Sequence, residues 1–118
     1  MAKRRISEAD GLAALRKVLA GDDSGTTVAT AVRYLLEELA ERAPGNSVEV
    51  RVPPFGATQC YPGPRHSRGT PPNVIEMRPD TWIALATGRL EWQAALDDAR
   101  VVASGARADI SAVLPLIR

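Results

Sequence analysis

The sequence predicts an α+β domain with an antiparallel or mixed sheet, and three observations predict it. Apolar residues recur at helical spacing through the first third of the chain and again after Pro79. Between them, Ser47-Val48-Glu49-Val50-Arg51-Val52 alternates strictly between polar and apolar side chains. Strands grouped together, instead of alternating one for one with helices, argue against a doubly wound parallel sheet.

The elements follow in order. Ser7 and Asp10 carry a capping signal, Leu12, Leu15, Val18 and Leu19 recur at helical spacing, and Gly21 is a plausible stop. Gly11 inside this helix costs about 1 kcal/mol relative to alanine, which loosens its first turn. A second helix runs from about Thr26 to Ala43. Its stripe is Val28, Val32, Leu35, Leu36 and Leu39, while Glu37, Glu38, Glu41 and Arg42 face away. Pro44-Gly45-Asn46 ends it.

The alternation over 47–52 puts three valines on one face, and Pro53-Pro54 closes that strand. A second strand is expected over Ala57 to Tyr61, and a third over Asn73 to Met77 after a proline- and glycine-rich connection. Pro79 opens a helix containing Trp82, Ile83, Leu85 and Ala86, stopped at Gly88. Trp92, Ala95, Leu96 and Ala99 make another. Val101 to Ser104 reads as a strand, and Asp109 to Leu114 as one or two helical turns before Pro115.

Bulk composition narrows the function. The 118 residues suit one domain, 1–118, with residues 1–6 as a flexible N-terminal arm. Fifteen basic residues against 14 acidic ones are a poor footprint for nucleic acid, and 4% aromatics leave few stacking platforms. No apolar run reaches the length of a membrane span. Met1-Ala2-Lys3-Arg4-Arg5 looks like the start of a signal peptide, but Glu8 and Asp10 stand where its apolar stretch should begin. The lone Cys60 forbids an internal disulfide, so a cytoplasmic location is expected.

Catalytic and metal chemistry lack their usual handles. His66 is the single histidine, and nothing in the spacing of Ser67 or Asp109 makes a triad with it. One Cys and one His cannot supply an ordinary zinc site. No glycine-rich phosphate fingerprint is present. We therefore expect no catalytic residue, no metal and no cofactor. The connection from Val52 to Asn73 concentrates prolines beside Arg65, His66 and Arg68. It reads either as a loop that meets an anionic group or as a rigid surface crossing. Trp82 and Trp92 read as anchors of their helices or as walls of an apolar cavity.

The segment Pro79-Asp80-Thr81-Trp82-Ile83-Ala84-Leu85-Ala86-Thr87-Gly88-Arg89-Leu90, then Trp92-Gln93-Ala94-Ala95, then Ala103-Ser104-Gly105-Ala106-Arg107-Ala108-Asp109-Ile110-Ser111, with the closing Leu114-Pro115-Leu116, resembles the sterol-carrier-protein (SCP-2-like) family in its small actinobacterial branch. Val50 to Gly56 and Gly63 to Asn73 look like that branch's own signature. The resemblance implies a five-stranded sheet covered on one face by helices, with an apolar tunnel between them. Members bind sterols, acyl chains or acyl-CoA, or serve as accessory domains of larger enzymes. In one of these, a mycothiol-dependent maleylpyruvate isomerase, the metal-binding histidines occupy a separate helical domain. With His66 alone, this chain lacks that half. Ala99 departs from the family pattern, which has a turn glycine there.

Under this resemblance, Val50, Val52, Ile75, Trp82, Leu85, Trp92, Leu96, Ile110 and Leu114 line an apolar pocket. The turns at 110–114 serve as its lid, and Arg65, His66, Arg68 and Arg107 form a polar mouth for an anionic head group. The expected role is a non-catalytic carrier of a lipid, fatty acid or acyl-CoA, as a monomer or homodimer, with a partner enzyme as a further candidate. The alternative is a solid-core interaction or regulatory module that works through the Pro53–Asn73 loop.

Overall fold

The structure is a computed structural model that describes residues 4–63 and 71–117. Helix α1 spans Glu8–Leu19, and the Ser7 hydroxyl accepts the Asp10 N–H at 3.1 Å, the cap that the sequence announces. Helix α2 spans Gly25–Arg42 and packs along α1. Its buried stripe is wider than expected, because Ala31 and Tyr34 join Val32, Leu35, Leu36 and Leu39 to meet the neighbouring helix. Glu37 and Glu38 are half-buried instead of facing away. Arg4 Nη1 bonds Glu38 at 2.7 Å and Glu41 at 2.8 Å, and its guanidinium lies 4.8 Å from the centre of the Tyr34 ring. The Arg5 and Ile6 N–H groups both donate to Glu37 at 3.1 Å. Residues 4–6, expected as the inner half of a free arm, are thus held on α2.

Strands β1 (Val48–Val52), β2 (Gly56–Cys60), β3 (Asn73–Met77) and β4 (Val101–Ser104) form a mixed sheet in the order β2-β1-β3-β4. β1 runs antiparallel to β2 and parallel to β3, while β3 and β4 are antiparallel. The five strands implied by the resemblance are corrected to four among the described residues, the number that the alternating segments themselves predict. The registers Val48↔Cys60, Val50↔Ile75 and Met77↔Val101 put these side chains on one face, where all are buried. Burying each such aliphatic group stabilises the fold by about 1.5–3 kcal/mol. Glu49, Arg51, Glu76 and Val102 share the opposite face, and Val102 is 68% exposed there.

Helix α3 (Pro79–Ala86) begins on Pro79 and α4 (Trp92–Asp97) follows after a tight reversal. Trp82 is fully buried, and its indole N–H donates to the Val32 carbonyl at 3.3 Å, tying α3 to α2. Ala99 adopts φ +56°, so the turn into β4 survives without the glycine found in the family. In place of one or two regular turns, Ser111–Val113 form a single 3₁₀ turn, with the Asp109 carboxylate accepting the Ser111 N–H at 2.7 Å. No helix among the described residues is long and apolar enough to cross a membrane.

Candidate functional site

The site is built where the last two helices and the C-terminal segment meet. Thr87 ends α3 by donating its hydroxyl to the Ile83 carbonyl at 2.7 Å, and the chain reverses at Gly88. The Arg89 N–H returns to the Ala84 carbonyl at 2.9 Å, which fixes the approach to α4. From the other side, the Leu116 and Ile117 N–H groups both donate to the carbonyl of Ala86, at 2.9 and 3.0 Å. The C-terminal segment is thereby tethered to the last residue of α3. Between these stretches of chain lies a cleft of ≈ 480 Å³, open to solvent.

Leu85, Trp92 and Leu114 come together on its wall. Leu85 is 1% and Trp92 7% exposed, so the cleft is cut against the core itself. Glu91 and Asp109 supply its charged lining, with Gln93 and Ser111 as neutral polar groups. Of the other residues expected to line an apolar pocket, Val50, Val52 and Ile75 lie fully buried on the inner face of the sheet. Trp82 and Ile110 are also fully buried, and Leu96 packs half-buried against the same core. They belong with the cleft residues to one apolar cluster but do not line the cleft.

The expected polar mouth divides differently. Arg65, His66 and Arg68 fall outside the described residues. Arg107 does not line the cleft. Its backbone N–H donates to Asn73 Oδ1 at 2.9 Å, and a Cβ on Gly63 would stand 3.2 Å from its guanidinium. Asn73 in turn donates to the Ser47 carbonyl at 2.8 Å, so one buried amide joins β1, β3 and the segment after β4. The Tyr61 hydroxyl is buried without a hydrogen-bond partner among the described residues. Burial pushes its pKa up, and the Cys60 and Asp109 charges add to the shift.

Glu91 and Asp109 are the charged cleft residues that the sequence reading did not place there. Both lie at the ends of short elements, where hydrophobic periodicity says nothing about direction. Among the described residues, no three His, Cys, Asp or Glu side chains gather in a way that could hold a metal ion. A family model described as bacterial SCP ortholog matches residues 24–116, from the N-cap of α2 to the tethered C-terminal segment. No curated protein matches the chain.

Proposed function

The chain belongs to the bacterial SCP family, and from that premise we propose that it is a non-catalytic binding domain that carries an apolar molecule in the Leu85–Trp92–Leu114 cleft. One observation carries this reading. Three apolar side chains from separate segments converge on a cleft of ≈ 480 Å³, within the range of about 300–1,000 Å³ usual for small-molecule sites. The wall at Leu114 belongs to a segment held on α3 through one carbonyl acceptor, that of Ala86. Ile110 and Leu116 on either side are core residues at 0% and 2% exposure, so the stretch 111–115 between them is the part placed to act as the lid.

The lining also selects among apolar ligands. Glu91 and Asp109 place two carboxylates at the cleft, and among the described residues neither Arg107 nor any other cation lines it. A carboxylate or phosphate head group would meet like charge there, whereas a hydroxyl head can donate to either side chain. An uncharged lipid therefore fits better than a free fatty acid or an acyl-CoA.

Tryptophan fluorescence titrations with 1-decanol and with decanoate test this. Decanol is expected to saturate at micromolar concentrations with a change in Trp92 emission, and decanoate to bind at least ~10-fold more weakly because of the like charges. Trp92→Phe should lose the optical signal while calorimetry still detects binding. Tighter binding of decanoate, or no saturable binding of either probe, overturns the proposal.

A further inference from the structure

A larger cleft lies elsewhere, between α2 and the edge strand β2. It measures ≈ 720 Å³ and is floored by Ile6, Leu36 and Phe55. β2 ends the strand order, so one side of its backbone has no neighbouring strand among the described residues, and Gly56, Ala57 and Thr58 line this groove. Natural sheet edges are commonly guarded by lysine, proline or inward-pointing charge. Gly56-Ala57-Thr58-Gln59-Cys60 carries none of these itself, and α2 covers its start, where Leu36 and Arg33 approach Gly56. At its far end, the Tyr61 N–H is taken by the Ala43 carbonyl, which leaves the stretch before it as the open edge.

The groove also carries a net positive charge among the described residues, two arginines against one carboxylate. Glu37, its one carboxylate among the described residues, accepts the Arg5 and Ile6 N–H groups and lies 3.9 Å from Arg4. Arg33 is pinned at the β1–β2 turn, where its Nε donates to the Phe55 carbonyl at 2.7 Å. Arg5 and Arg33 therefore leave the groove positive.

We propose that the α2–β2 groove receives an extended acidic segment of a partner protein, which adds a strand to β2. Backbone pairing would satisfy the edge amides, alternate apolar side chains would fill the Ile6–Leu36–Phe55 floor, and carboxylates would meet Arg5 and Arg33. A lipid chain in the same place would bury edge N–H and C=O groups without offering them partners, which is costly. A second copy of this chain paired two-fold through β2 would bring Arg33 and Arg5 toward their own counterparts, like charge against like. The chemistry favours the acidic strand over both.

The test uses the full chain, ¹⁵N-labelled, titrated with a blocked hexapeptide of alternating glutamate and valine. Amide shifts confined to 55–59 and to the α2 residues facing them are expected, with affinity falling as salt rises. A peptide with lysine for glutamate, or one N-methylated on alternate amides, should bind at least ~10-fold more weakly. Arg5→Glu and Arg33→Glu should each weaken the glutamate peptide by a similar factor, with thermal melts verifying that both variants fold. Equal binding of the lysine or N-methylated peptide overturns the proposal. So do shifts at the β4 edge in place of β2, displacement of the peptide by decanol, or concentration-dependent dimerisation through β2 in sedimentation runs. The decanol arm also separates this site from the Trp92 cleft, since either can fail without the other.

Discussion

Gly11 of α1 lies flat against the ring of Tyr34 in α2, so close that a Cβ at position 11 would stand 2.2 Å from two ring carbons. Both residues are buried at the helix–helix contact. By helix propensity alone, Gly11→Ala would gain about 1 kcal/mol. The clash reverses the sign, because overpacking a tight contact costs about 1–3 kcal/mol. We expect a net loss of up to about 2 kcal/mol in urea unfolding, the clash outweighing the propensity gain. In a Tyr34→Ala background the same alanine should be neutral or stabilising. Destabilisation of equal size in both backgrounds would show that the contact is not the cause.

Asn73 uses both halves of its amide, donating to Ser47 O and accepting from Arg107 N. Asn73→Asp keeps the shape but cannot donate when ionised. Leaving the buried Ser47 carbonyl facing a carboxylate should cost about 2–3 kcal/mol at neutral pH. Burial raises the folded pKa of the new carboxyl, so the deficit relative to wild type should shrink as pH falls and the group regains a proton to donate. A deficit that stays constant from pH 7 to pH 4 would contradict this account.

Ala99 holds φ +56°, a conformation that L-residues other than glycine occupy at a cost. Relief of that strain is worth about 1–2 kcal/mol, against about 0.4–1 kcal/mol of added unfolded-state entropy for glycine. Ala99→Gly should therefore stabilise the chain by about 0.5–1 kcal/mol, the difference between the two terms. Calorimetric melting checks this, and a lower melting temperature would refute it.

Cys60 is fully buried on the inner face of the sheet, and burial pushes its thiol from 9.0 up to about 12. In the unfolded chain the thiol ionises near its ordinary value, while in the native chain it keeps its proton. Between these values the unfolded state binds fewer protons, so this group's contribution to stability falls as pH rises from 9.0 toward about 12. Cys60→Ala should show a shallower decline than wild type over the accessible alkaline range. The native thiol should also resist a disulfide reagent at pH 8 until denaturant is added. Rapid native labelling would mean that the strand opens locally.

Much of the secondary structure was legible because each element depends on its own neighbours. The alternation of Val48, Val50 and Val52, the Ser7 cap and the stops at Gly21 and Gly88 are local signals, and the elements follow them. The four strands were legible in the same way, whereas the fifth came from likeness to a family and has no counterpart among the described residues. Periodicity also marked Leu85, Trp92 and Leu114 as apolar.

Tertiary structure decided what those residues face. It set Leu85, Trp92 and Leu114 on one cleft and left Val50, Ile75 and Trp82 in the sealed interior, although all six look alike in a hydrophobic pattern. It turned Gly11 from a weak point of a helix into the place where two helices touch, and put Glu91 and Asp109 on the same cleft. The physical reason is that side-chain period reports only which face of an element points inward. Which groups then meet depends on crossing angles, register and loop closure, and these are set by contacts between residues distant in sequence.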